Sequence, residues 1–300
     1  MENIKDYSFR WRWNMVNDFR PQSIESSGIK SYPTANYVNY YGMQNGYPIN
    51  DMTKADAESG YDPTHPWKNR DPRFYKTIMF DGVKWKNTGG AGGTAELFTG
   101  GRESEEANEK KGCFTAYMNS KLCPQLMNTV DGYKENNIMI LSLMRLADVY
   151  LMYAEATVVG YNGPKEKATT YSLTAEEALN KIRERAGVAP VLEKFLGSTA
   201  DFLGELRRER AVELSFEGFR FTDLRRWMLL TQYPYTLKTK IEFDRANPND
   251  YNYDAPEENA IKNLREIVLL ERKYTDRHYW YPLPKKDVSM YEGFYQNPGW

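Results

Sequence analysis

"LRRERAVELSFEGFRFTDLRRW", residues 206–227, is the densest charge cluster in the chain, and large apolar side chains are threaded through it. Glu205, Glu209, Glu213 and Glu217 recur every four residues, which places them along one side of a helix. Arg208 stands three residues beyond Glu205, Arg220 three beyond Glu217 and Arg226 three beyond Asp223, each pair within reach on a helical surface. Such a cluster serves either chemistry or the fold. Hydrolysis by paired carboxylates needs two acids facing each other across a substrate, about 5–10 Å apart and usually carried on different elements. Four glutamates on one side of one helix do not supply that. The stretch therefore reads as a structural clasp. Exposed pairs contribute about 0.2–0.5 kcal/mol each. Buried beside Phe219, Phe221 and Trp227, the same pairs chiefly fix geometry, because breaking one strands a charge.

Further helices surround this one. In "IMILSLMRLADVYLMYAEA" (138–156), Leu143, Ala147, Tyr150, Leu151 and Ala154 recur at helical spacing, while Arg145, Asp148, Met152 and Glu155 share another face. Those charges argue against a membrane span. Thr174 followed by Glu177 is a capping box that opens a second helix, "AEEALNKIRERA", and Gly187 closes it. Ser198 with Asp201 opens the third, which runs to about Glu217, where Gly218 bends or ends it; "FRFTDLRRWMLL" then resumes helical spacing. The pairs resemble tetratricopeptide-type hairpins, although the 157–173 connection is longer than a strict repeat has. Beyond residue 232 the pattern turns irregular, and 265–281 fits either a helix or a pair of strands.

Composition narrows the function. Forty Lys and Arg against 41 Asp and Glu give a net charge of −1, so no broad field attracts nucleic acid or anionic lipid. Two cysteines, Cys113 and Cys123, allow at most one disulfide, and His65 and His278 lie far apart without ligand spacing. Neither a metal, a cofactor nor a catalytic residue is expected. The 23 Tyr, 13 Phe and 7 Trp are more informative, since many fall in stretches rich in Gly, Asn and Pro. Residues 1–137 hold most of the glycines and prolines taken together and read as loops and short strands. Within them, 87–112 is glycine-rich at one end and charged at the other, which suits a mobile surface loop without the spacing of a phosphate cradle. "NRDPR" (69–73) reads as a turn from which Arg70 or Arg73 pairs with a carboxylate of the helical half.

In order along the chain, "YPTANYVNYYGMQNGYPIN", "NRDPRFYKTIMFDGVKW", "LMRLADVYLMYAEA", "ALNKIRERAGV", the 206–227 stretch and "YPLPKKDVSMYEGFYQNPGW" resemble successive signatures of the SusD/RagB family of outer-membrane nutrient-binding lipoproteins. The similarity runs from about residue 32 to residue 300. It implies a mainly α SusD-like fold, with tetratricopeptide-like helical hairpins beside an irregular loop-rich face carrying short strands. In that layout 1–300 form one C-terminal region: 1–137 the ligand-face segment, 138–232 the hairpins, and 233–300 an irregular segment packing back on the helices. The resemblance further implies a lipid-anchored protein on the outward face of the outer membrane of a Bacteroidetes-type cell. There it would bind a glycan or oligosaccharide, without catalysis, and deliver it to a SusC-like TonB-dependent transporter. Relatives carry a longer N-terminal half with a signal peptide, a lipidated cysteine and earlier helical hairpins. None of these is found here, so the chain reads as the C-terminal portion of a family member, with part of the 138–156 apolar surface exposed.

A sugar ring offers an apolar face of C–H groups and a rim of hydroxyls, so aromatic rings in loops beside Asn or Asp suit it. On that ground Tyr41, Tyr47, Tyr61, Trp67 and Trp85 are candidate ligand contacts, with Trp11 and Trp13 as further possibilities. The alternative for each is a ring that pins its loop to the core. Three other functions compete: a peptide-binding relative, a glycoside hydrolase that brings together loop acids such as Asp51, Asp62 and Asp81, and a scaffold for a protein partner.

Overall fold

The computed structural model describes residues 32–87, 93–107, 109–122 and 142–300. Three helices form the platform: α3 (Leu146–Tyr161), α4 (Ala175–Ala186) and α5 (Thr199–Glu213), preceded by two short ones, α1 (Ala35–Val38) and α2 (Pro72–Thr77). α3 and α4 pack closely because Ala154, Ala175 and Ala178 are fully buried at their contact, and Phe202 and Leu206 of α5 close the same cluster. The Thr174–Glu177 capping box and the left-handed Gly187 stop are both present, and Ser198 accepts from the Asp201 amide at the start of α5.

Two helix boundaries differ from the sequence reading. α3 begins only at Leu146, because Arg145 is held in extended backbone while its guanidinium reaches Glu213 and Glu217. It runs on to Tyr161 and stops at Asn162, which is left-handed. Residues 138–141 lie outside the described residues, as do Trp11, Trp13 and Cys123. α5 ends at Glu213; Phe216 and Gly218 then adopt φ values of 60° and 87°, and this reversal starts a separate helix, α6 (Phe219–Arg226). The break removes the expected pair between Arg220 and Glu217. Glu217 instead accepts from Lys121 and Arg145, and Arg220 lies over the Tyr40 ring at 4.8 Å.

The segment after residue 232 is more regular than its composition suggests. β3 (Leu237–Arg245) and β4 (Ile261–Glu271) form an antiparallel hairpin whose register runs from Leu237 opposite Glu271 to Arg245 opposite Ile261. Thr239, Ile241, Phe243 and Arg245 alternate inward along β3, a period of two that residues 237–245 carry openly. Residues 265–271 are therefore strand, and a short turn of 3-10 helix, Asp276–Tyr279, follows. Earlier in the chain β1 (Ile78–Met79) pairs antiparallel with β2 (Met118–Asn119), and a last short helix, α7 (Lys285–Val288), lies near the end.

The loop-rich half has its own aromatic core. Trp67 meets Phe80 at 5.0 Å and Phe243 at 5.2 Å, and Phe74 stacks on Phe80 at 5.2 Å. Residues 94–104, expected as mobile surface, contribute to this core instead: Thr94, Ala95, Leu97, Glu103 and Ser104 are buried, and the Thr99 amide donates to the carbonyl of Phe243. On the far side of the platform α3 leaves Leu146, Val149, Met152 and Val159 exposed.

Candidate functional site

The charge cluster resolves into a brace. Glu209 is buried and accepts from Arg73 at 2.5 Å and from Arg183 at 3.0 Å. Glu213 accepts from Arg73, Arg145 and Arg185. Arg210 bridges Asp148 of α3 and Asp223 of α6 at 2.6 and 2.8 Å, and Arg226 joins Asp223 to Glu155. Asp148 and Glu155 thus turn toward arginines rather than toward solvent. Arg73 leaves the turn at "NRDPR" to reach the helices, as its sequence suggests. Its neighbour Arg70 takes no carboxylate and donates to the carbonyls of Val38, Tyr41, Gly42 and Pro66. Burial by itself would raise the Glu209 carboxyl, but Arg73 and Arg183 outweigh it and hold the group at about 2.

A groove of about 680 Å³ lies between α5, the loop around α1 and the β3–β4 hairpin. That volume is within the range of small-ligand sites. Its helical wall is one face of α5, on which Ala200, Asp201, Gly204, Glu205 and Arg208 follow each other at helical spacing. The opposite side is built from Asn36, Asn39 and Tyr40 near α1, from Thr239, Glu266 and Val268 of the hairpin, and from Tyr233 and Pro234. Phe195, Pro48, Ile49 and Asn50 complete the lining.

Each wall is held by identifiable bonds. The Asn36 amide donates to Thr239 Oγ1 at 2.8 Å and its Nδ2 to the Leu237 carbonyl at 2.9 Å, so α1 is fastened to the edge of β3. Thr239 Oγ1 donates in turn to Glu266 at 2.7 Å. Arg208 pairs with Glu205 and donates to the carbonyls of Tyr40 and Gly46 at 3.1 and 3.0 Å, tying the loop to the helix. Gly42 leaves room for this: a Cβ there would stand 2.2 Å from the Tyr47 carbonyl oxygen and 2.9 Å from the Arg208 guanidinium. The Tyr233 ring is 78% exposed at the rim, whereas Tyr40 is half-buried and burial raises its phenol. Oδ1 of Asn39 is buried in the wall with no hydrogen-bond partner among the described residues. Rings, amides and carboxylates thus converge on one concavity, the set of groups that complements the apolar face and hydroxyl rim of a saccharide.

Of the five rings singled out from the sequence, three are core. Tyr41 donates to Ser215 at 2.7 Å, Tyr61 to the Met52 carbonyl at 2.8 Å, and the Trp67 indole to the Tyr117 hydroxyl at 3.3 Å; all three rings are buried and have no face to offer a ligand. Trp85 is half-buried with the Lys86 ammonium 4.6 Å above it, away from the groove lining. Tyr47 is half-buried beside the groove, where the Lys194 ammonium lies over both its ring and that of Phe195. The segment "NYVNYYGMQNGYPIN" does supply the groove, but through Asn36, Asn39, Tyr40, Pro48, Ile49 and Asn50. The acids considered for hydrolysis are also engaged elsewhere. Asp81 is fully buried against Arg245, Asp51 pairs with Lys54, and Asp62 accepts from Thr64.

The sequence matches the SusD family across residues 1–300. The chain belongs to the SusD family. Solved structures agree with a mainly α SusD-like fold. A SusD-like protein from Bacteroides fragilis superposes with a TM-score of 0.67 at 22% identity, covering 95% of this chain and 51% of that one. A SusD-like carbohydrate binding protein, also from Bacteroides fragilis, gives a TM-score of 0.55 at 21% identity over 85% of this chain and 46% of that one. This SusD-family chain therefore spans about half the length of the solved structures it matches. No curated protein sequence matches it. Among the described residues no helix is long and apolar enough to cross a membrane.

Proposed function

We propose that the chain binds glycan or oligosaccharide without catalysis, on the outward face of an outer membrane, and delivers it to a SusC-like TonB-dependent transporter. The ligand sits in the groove between α5 and the hairpin. The observation that carries this reading is the convergence of Tyr233, Tyr40 and Phe195 with Asn36, Asn39 and Asn50 on one concavity, in a chain whose solved relatives include a carbohydrate binding protein. Tyr47, next to Phe195, extends the aromatic surface beyond the lip.

Binding is favoured over hydrolysis by the state of the groove's most buried acid. Burial would raise Glu205, but Arg208 and Arg183 override it and lower the group, the reverse of what a general acid needs. Calorimetric titration against a panel of polysaccharides and host glycans tests the proposal. Binding of at least one member, weakened by Tyr233→Ala, is the expected result. Binding of peptides in place of every glycan would move the assignment to the peptide-binding alternative, and release of shorter products from a bound glycan would make the protein a hydrolase.

A further inference from the structure

The charged groups of the groove are three carboxylates, Asp201, Glu205 and Glu266, and one guanidinium, Arg208. The guanidinium is largely committed, since it pairs with Glu205 and donates to the carbonyls of Tyr40 and Gly46. Lys194, the cation at the lip, is paired with Glu58 at 3.2 Å. Asp201 and Glu266 are exposed, and neither has a basic partner within ion-pair distance among the described residues. They stand on different walls, one in the first turn of α5 and the other on β4, and hydroxyls from Ser198 and Thr239 hold them in place. Asp201 also occupies the positive end of the α5 dipole, which would otherwise favour an anion.

Resting on the reading of this groove as the glycan site, we propose that it selects uncharged glycans and repels those carrying carboxylate or sulfate groups. A neutral sugar hydroxyl donates readily to Asp201 and Glu266. An anionic substituent meets two like charges, with no unpaired guanidinium or ammonium among the described residues that line the groove. Discrimination here comes from repulsion and leaves the aromatic platform the same for both ligand types.

The test uses matched ligands. A panel of neutral polysaccharides that carry primary alcohols (starch, mannan, galactan) is titrated first. Each polymer that binds is then compared with its own derivative oxidised from primary alcohol to carboxylate, and polygalacturonate, alginate and chondroitin sulfate are run beside them. The expected result is binding by neutral polymers, with the carboxylated form at least about tenfold weaker, which is about 1.4 kcal/mol. That gap should shrink in about 1 M salt, where the screening length is about 3 Å. It should also shrink in the double variant Asp201→Asn with Glu266→Gln, which keeps both hydroxyl contacts and removes both charges. Carboxylated and parent polymers of equal affinity, both weakened by Tyr233→Ala, would overturn charge selection while the groove remains the binding site. An undiminished gap in the double variant would assign the discrimination to shape and overturn the inference as well. Failure of every polymer to bind, or binding indifferent to Tyr233→Ala, would remove the groove assignment and the selectivity with it.

Discussion

Arg73 and Glu209 meet at 2.5 Å although 136 residues separate them, and with Arg183 on the other carboxylate oxygen they join the loop-rich half to two helices. Burying ions is costly, and a pair of this kind contributes little net stability over an apolar replacement. Removal of one member, however, leaves its partner charged and dry, at a cost of about 3–5 kcal/mol. Arg73→Met is therefore expected to lower the stability read from urea unfolding by roughly that amount. A loss under about 1 kcal/mol would mean that Arg183 alone satisfies Glu209 and that the two halves are held by apolar packing.

Acid should act through the same brace. The Glu209 carboxyl lies at about 2 in the folded protein against an ordinary value of 4.5, so the folded state releases its proton more readily than the unfolded one. A depressed acid stabilises fully above its unfolded value and loses that contribution as the pH falls toward its folded value. Glu205 and Glu217 are shifted in the same direction, while burial pushes Asp81 and Glu103 up and so opposes the loss. Stability should hold from neutral pH to about 5, then fall by on the order of 3 kcal/mol for Glu209 alone between about pH 4.5 and 2. Chemical unfolding at stepped pH checks this, and Glu209→Gln should flatten the slope.

Tyr233 presents its ring at the groove rim with 78% of its surface exposed, so its removal costs the fold almost nothing. Tyr233→Ala is expected to change unfolding free energy by less than about 0.5 kcal/mol. A lost stacking contact of about 1 kcal/mol weakens glycan affinity roughly fivefold. Unfolding and calorimetry on the same variant separate the two effects. The opposite pattern should appear for Trp67→Ala: its ring is walled in by Phe80 and Phe243, and truncation should cost about 3–5 kcal/mol of stability.

Elements whose signals are local were readable from the sequence. The capping box at Thr174, the stop at Gly187 and the four-residue spacing of Glu205, Glu209 and Glu213 each depend on neighbours within one or two turns, and each is in the structure. The β3–β4 hairpin was legible only in part: 265–281 fits either a helix or a pair of strands, and the alternation of Thr239, Ile241, Phe243 and Arg245 ends in an arginine, which does not by itself mark an inward face. That arginine, Arg245, is buried only because Asp81 waits for it 164 residues away, a pairing no local pattern announces. The groove was missed for a related reason. Tyr40 and Tyr41 are adjacent, yet Tyr40 lines the groove and Tyr41 enters the core, and which ring goes where is fixed by the short helix α1 and its bonds to β3. Composition identified the segment; only tertiary packing chose the ring.

Gly204 provides the sharpest separation of fold from function. It lies inside α5, where glycine costs about 1 kcal/mol relative to alanine, and a Cβ built there meets nothing within 4 Å. No packing constraint among the described residues therefore requires glycine at this position. It does line the groove, between Asp201 and Arg208 on the helical wall, and the missing side chain lets a ligand approach the helix backbone. Gly204→Ala should accordingly raise the unfolding free energy by about 1 kcal/mol and at the same time weaken glycan binding, because the added methyl takes up space that the sugar occupies. Gain of stability with unchanged affinity would show that the bound ligand does not touch α5 and would move it toward the Tyr233 rim. A loss of stability would mean that the α5 backbone at this point is strained in a way its helical geometry does not suggest.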